Sequence, residues 1–166
     1  MAEPRSLDLI KKLVSFDTTS RESNLALIAF VQEILSGLGV KSMLVHNEEA
    51  TKANLYATLG DQGKAGVMLS GHTDVVPVDG QAWDTDPFTV VRNNGKLYGR
   101  GTSDMKGFAS AAIRAMAEAS RRPLGKPLKL ALSYDEEAGC VGIAEMAGAL
   151  DRTIGLPELC IVGEPT

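Results

Sequence analysis

The stretch Gly66-Val67-Met68-Leu69-Ser70-Gly71-His72-Thr73-Asp74 joins a short apolar run to a polar terminus. Val67, Met68 and Leu69 predict a buried strand. A run that dry gives no packing reason to end in an imidazole and a carboxylate two residues apart. Residues i and i+2 of a strand share a face, so Asp74 is placed to orient the His72 ring. A metal-binding histidine commonly donates its second N–H to a carboxylate in this way. An ordinary hydrogen-bonded pair looks the same, and the rest of the chain has to choose between the two.

Upstream of this strand, Leu7, Leu9, Ile10, Leu13 and Val14 recur at helical spacing, with Ser6 as the N-cap. The turn-prone run Asp17-Thr18-Thr19-Ser20 ends that pattern. A second helix is expected over 24–38, with Leu27, Ile28, Val31, Ile34 and Leu35 on its apolar face and Gly37 and Gly39 at its end. The alternation over 40–45 and 53–59 predicts two strands, with His46 in the solvated turn between them. Downstream, 75–87 reads as an ordered irregular loop carrying Trp83. Phe88–Arg92 and Lys96–Tyr98 flank Asn93-Asn94-Gly95, a hairpin signal. Ala109–Ala119 predicts a helix of small residues closed by Arg121, Arg122 and Pro123. A strand over 128–134 runs into Asp135-Glu136-Glu137. A helix with Ile143, Met146, Ala147 and Leu150 follows, and a last strand, Leu159–Val162, runs into Gly163-Glu164. Dry strands alternating with helices predict an α/β fold: three layers, α/β/α, around a mostly parallel mixed sheet.

Composition removes several function classes. The 166 residues carry a net charge of −4, with 23% charged and 44% hydrophobic residues, and no Lys/Arg-rich run marks a nucleic-acid footprint. No apolar run approaches the ~20 residues that cross a bilayer. The N-terminus lacks the basic start and apolar core of a signal peptide. Cys140 and Cys160 match no zinc spacing and are expected to be buried, reduced thiols of a cytoplasmic protein.

The chemistry collects where strands end. His72/Asp74, Glu136/Glu137 and Glu164 each follow a dry strand, and Asp104 precedes a helix. In open α/β sheets, ligands bind outside the carboxyl ends of the strands. If the strands are parallel neighbours, these groups meet at one edge. One histidine among several carboxylates is costly unless cations neutralise the charge, and such a donor set suits Zn²⁺ or a similar divalent ion. Glu136 and Glu137 point opposite ways in extended backbone, so one is expected to be a ligand and the other a general base. Gly99-Arg100-Gly101 is no nucleotide loop, because Asp104 stands where the dinucleotide fingerprint needs glycine and no Gly-Lys-Ser/Thr follows.

Four stretches resemble, in order and spacing, the motif series of the two-zinc aminoacylase/carboxypeptidase family. They are Ser70–Pro77, Leu97–Gly107, Asp135-Glu136-Glu137 and Val162–Thr166. The resemblance implies a zinc-exopeptidase-like fold and two divalent metal ions, Zn or Co. It implies His72 and Glu164 on one ion, Asp104 bridging both and Glu137 on the second. Asp74 would orient His72 and Glu136 would be the general base, giving Asp74 and Glu136 the catalytic roles. A cis peptide at Asp104-Met105 is implied as well. The segments 77–83 and 133–140 are most similar to members that deacetylate N2-acetyl-L-ornithine in arginine biosynthesis, with succinyl-diaminopimelate desuccinylases next. The implied partner is a small-molecule N-acyl amino acid, with no nucleic acid and no membrane.

Family members are much longer than 166 residues. The resemblance therefore implies that residues 1–166 are an N-terminal portion of the catalytic domain, without the dimerisation lid and the C-terminal return that supplies a further histidine ligand. A homodimer would form through that lid. The chain alone is expected to be inactive, at most a non-catalytic metal-binding piece.

Overall fold

In the computed structural model, which describes residues 6–165, the elements run in the following order. They are α1 (Ser6–Val14), α2 (Leu25–Gly37), β1 (Ser42–His46), β2 (Ala53–Leu59), β3 (Val67–His72), β4 (Val91–Asn93), β5 (Lys96–Tyr98), α3 (Lys106–Ala119), β6 (Leu128–Ser133), α4 (Val141–Thr153) and β7 (Leu159–Val162). The main sheet has five strands in the order β1-β2-β6-β3-β7. β6, β3 and β7 are parallel neighbours, with His72 opposite Ser133 and Ser70 opposite Val162. β1 and β2 extend the sheet by antiparallel ladders. The sheet is thus mixed, and its parallel part is the part that carries the acidic termini.

Strand periodicity sorts the core into two faces. Leu55, Ala57, Leu69, Leu130 and Leu132 pack under α1, α2 and α3. The alternate residues Tyr56, Met68 and Ala131 pack under α4, against Met146, Ala149 and Leu150. Helices therefore cover both faces, giving the three layers expected. Lys129 lies on the α4 face at 1% exposure and is fully used there. Its Nζ donates to the carbonyls of Ile154 (2.6 Å), Gly155 (3.0 Å) and Leu156 (3.4 Å), catching the end of α4 where carbonyls lack helical partners.

Local chemistry explains the boundaries. α2 ends in a Schellman turn: Gly39, at φ +73°, donates to Ser36 (2.9 Å) and Val40 donates to Leu35 (2.9 Å). The small hairpin β4–β5 turns at Asn94 and Gly95, both at positive φ, the geometry Asn-Gly favours. The strand before it begins at Val91 and not at Phe88, because Asp86 ties down the preceding segment, accepting from the Phe88 N–H (2.9 Å) and the Thr89 hydroxyl (2.8 Å). α3 begins at Lys106, three residues before the run of alanines that signals it.

Two expectations need correction. Cys140 and Cys160 are free but exposed. Cys140 sits at the turn that opens α4, at φ +60°. Cys160 lies in β7, the edge strand among the described residues, whose Leu159, Ile161 and Val162 are exposed as well. His46 is exposed as expected but closes β1 instead of lying in a loop, paired with Ala53 across the ladder. Among the described residues, no helix is long and apolar enough to cross a membrane.

Candidate metal centre

His72 is the last residue of β3 and is 1% exposed. Its backbone N–H points at the Met105 sulfur (3.3 Å), and its ring is held on both sides. Nδ1 lies 3.0 Å from the Asp74 carbonyl and 3.4 Å from Asp74 Oδ1. Nε2 faces outward into a fan of carboxylates: Asp104 Oδ1 at 3.0 Å, Glu164 Oε2 at 3.5 Å and Glu136 Oε2 at 3.9 Å. Asp74 thus approaches the imidazole as the sequence spacing suggests, with its main-chain carbonyl nearer than its carboxylate.

The carboxylates arrive from three segments. Glu136 and Glu137 follow β6, Glu164 follows β7, and Asp104 precedes α3 across a cis Asp104-Met105 peptide, as the resemblance implies. Donor atoms of His72, Glu136 and Glu164 lie within 4.8 Å of one another, and so do those of His72, Asp104 and Glu137. Every residue assigned a site role from the sequence is therefore brought to one edge of the sheet. The grouping adds a detail: Glu136 sits beside His72 and Glu164, and Glu137 beside Asp104.

The segment carrying the two glutamates is not extended. Asp135 adopts a left-handed conformation (φ +48°), and both following amides fold back onto Asp74. The Glu136 N–H reaches Oδ1 at 3.0 Å and the Glu137 N–H reaches Oδ2 at 3.2 Å. This turn is why neighbouring acids serve the same cluster instead of diverging.

Close helix–sheet approach brings Asp104 in. A Cβ on Gly71 would lie 3.0 Å from the Met105 methyl, and one on Gly163 would lie 1.9 Å from the Phe108 ring. Bare backbone at both strand ends lets the first turn of α3 settle against the sheet.

The electrostatics follow from this crowding. Burial opposes charge on His72, but Asp74, Asp104 and Glu164 outweigh it and push the imidazole up to about 9. Burial and the neighbouring Asp104 charge push Glu137 and Glu164 above the usual carboxylate range. Asp74 moves the other way. Burial raises it, but hydrogen bonds from His72, Ser20 and the Glu136 amide overcome that and hold it low. A field that draws protons onto neighbouring groups also draws cations. Imidazole with carboxylate oxygens is the mixed donor set of zinc-like divalent ions. The residues present fit such ions, with His72, Asp104, Glu136, Glu137 and Glu164 as the available donors.

The supporting shell was not visible in the motifs. Ser20 donates its hydroxyl to Asp74 Oδ2 (2.7 Å), and Thr18 donates to the Thr73 carbonyl (2.6 Å). Asn24 bridges the Ala53 carbonyl (2.9 Å) and the Thr73 hydroxyl (3.0 Å) while accepting from the Ala53 N–H (2.9 Å). A signal existed: Asp17-Thr18-Thr19-Ser20 is denser in short polar side chains than one turn needs, and Thr18 and Thr19 are buried.

Residues 68–166 match the model of peptidase family M20/M25/M40. The acetylornithine deacetylase of Pasteurella multocida is 36% identical over 98% of this chain and 44% of its own length. That of Proteus mirabilis is 38% identical over 98% of this chain and 43% of its own. The chain thus spans less than half the length of these curated relatives. Human carnosine dipeptidase 1 superposes with a TM-score of 0.82 at 28% identity, covering 96% of this chain and 38% of that one. An M20 family metallo-carboxypeptidase from Sulfolobus solfataricus shares the fold, with a TM-score of 0.81 at 23% identity over 97% of this chain and 37% of its own. On the extent of the family match and the identity to these relatives, the chain belongs to peptidase family M20/M25/M40.

Proposed function

We propose that the whole protein to which these residues belong is a metal-dependent amide hydrolase that deacetylates N2-acetyl-L-ornithine to L-ornithine and acetate. The observation that carries the hydrolase reading is the pair of overlapping donor groups sharing His72 at the carboxyl edge of β3, β6 and β7. The choice of substrate is supported by the acetylornithine deacetylases matched along 98% of the chain. Succinyl-diaminopimelate is the second candidate, from the resemblance of the Trp83 loop and the Gly163-Glu164-Pro165 ending to desuccinylases.

His72, Asp104, Glu137 and Glu164 would hold two divalent ions, zinc or cobalt. The ions would supply Lewis acidity for the amide carbonyl and for the charge that develops on its oxygen. Glu136 takes the proton of the attacking water and returns it to the departing amine, the work of a general base turned general acid. Its half-buried carboxylate, 3.9 Å from His72 Nε2, supports that role. Asp74 keeps the His72 ring in place and stays ionised while doing so. Residues 1–166 are read as an N-terminal portion of the catalytic domain that binds metal without turning substrate over, the whole protein dimerising through a lid outside them.

Assay of the whole protein and of residues 1–166 against a panel of N-acyl amino acids, with metal analysis of both, tests this reading. Fastest turnover is expected on acetylornithine, by the whole protein alone. Metal-loaded whole protein that cleaves no N-acyl amino acid would overturn the hydrolase assignment. Preference for succinyl-diaminopimelate would overturn the substrate.

A further inference from the structure

Lys52 lies far in sequence from every stretch that carries the site, at the start of β2, yet its ammonium group is fully engaged beside it. Nζ is 2.6 Å and 2.7 Å from the two carboxylate oxygens of Asp135, and it also donates to the Ser20 carbonyl. An ammonium has three N–H donors, and these three acceptors use them. The side chains of the pair are 12% and 18% exposed, unlike the solvated surface ion pairs that contribute little.

The two segments that Lys52 joins are the two that hold Asp74. Ser20, whose carbonyl it binds, gives its hydroxyl to Asp74 Oδ2 at 2.7 Å. Asp135, whose carboxylate it binds, sits in the left-handed turn from which Glu136 and Glu137 donate to Asp74. A non-glycine residue in that conformation persists where its surroundings over-determine it. Lys52 supplies the determination: it holds the Asp135 side chain from outside while Asp74 holds the next two amides from inside. The contacts close a ring that runs Lys52, Ser20, Asp74, Glu136, Asp135 and back to Lys52.

We infer that Lys52 is a positioning residue, a clamp that fixes the 135–137 turn and thereby aims Glu136 and Glu137. This rests on the hydrolase reading above for its catalytic consequence, though the clamp itself is a property of these residues. In the metal-loaded whole protein, Lys52→Met is expected to lower kcat about 10–100-fold, the range seen when a group orienting a metal site is lost, with KM changed less than about threefold.

Hydrogen exchange by mass spectrometry provides a readout that needs no substrate. In Lys52→Met the amides of 135–140 are expected to exchange faster while the peptides of β3 and β6 keep their protection. Unchanged exchange over 135–140, an increase spread over the whole chain, or an unchanged kcat would overturn the inference. A parent protein that leaves acetylornithine intact would instead refute the substrate proposal, and the exchange measurement would still decide the role of Lys52.

Discussion

Asp74 accepts the backbone N–H groups of both Glu136 (3.0 Å) and Glu137 (3.2 Å). The same carboxylate lies 3.4 Å from His72 Nδ1. The residue that steadies the imidazole thus also sets the turn that presents the two acids. Replacing Asp74 with Ala is expected to lower activity or metal affinity of the whole protein about 10–100-fold. It also leaves two amides and a hydroxyl seeking partners, so a stability loss of at least about 1–3 kcal/mol is expected, one buried unsatisfied group's worth. Isothermal titration with Zn²⁺ and urea unfolding measure the two effects separately.

Glu136 and Glu137 are neighbours with different expected roles, and paired isosteric variants separate them. Glu136→Gln in the whole protein is expected to cut kcat by about 10²–10⁴-fold, the reach of general-base catalysis, with metal content retained. Glu137→Gln is expected to lower the bound metal first and activity in consequence. Metal analysis beside steady-state rates checks both, and equal metal loss in the two variants would remove the distinction.

Burial alone pulls Lys129 below its usual pKa of 10.5. The folded protein therefore holds that proton less tightly than the unfolded chain, which binds more protons just below pH 10.5. Stability rises with pH wherever the unfolded state binds more protons. The contribution of Lys129 is accordingly least favourable at neutral pH, improves as pH rises through the lowered folded value, and levels off above 10.5. Lys129→Met removes this component. The difference in urea midpoint between parent and variant, followed from pH 7 to 11, is expected to drift toward the parent as pH rises.

Two glycines of α4 answer oppositely to the same substitution. A Cβ at Gly142 would meet the Tyr134 carbonyl oxygen, a backbone atom, at 2.0 Å, whereas one at Gly148 meets nothing within 4 Å. Gly148→Ala is expected to stabilise the chain by about 0.5–1 kcal/mol, from helix propensity. Gly142→Ala is expected to destabilise it by more than that or to prevent folding. Denaturant midpoints for the two variants check the sign of each.

The parts of this fold written in local patterns could be read from the chain. The dry runs at 67–69, 128–134 and 159–162 each announced a strand, and the acids after them announced where the site lies. Pairing order was not legible. Nothing in Ala53–Leu59 says that it sits beside Leu128–Ser133 and not beside Val67–His72, because that choice is made by layer packing over the whole sheet. The left-handed turn at Asp135 was hidden for a similar reason. Aspartate prefers other conformations when free, and here its side chain meets Lys52 while the next two amides meet Asp74, partners distant in sequence. The cysteines misled because a free thiol is usually buried, while Cys140 sits in a turn and Cys160 in an exposed edge strand.

The bare backbones of Gly71 and Gly163 act as a gauge. They set how deeply the first turn of α3 seats, with Met105 and Phe108 resting where side chains would otherwise stand. The gap between the Asp104 carboxylate and His72 therefore depends on main-chain thickness together with the reach of the aspartate side chain. Lengthening the acid by one methylene, as in Asp104→Glu, keeps its charge and chemistry but overshoots a seat whose depth cannot adjust. In this architecture the spacing of the candidate metal centre leans on two missing β-carbons.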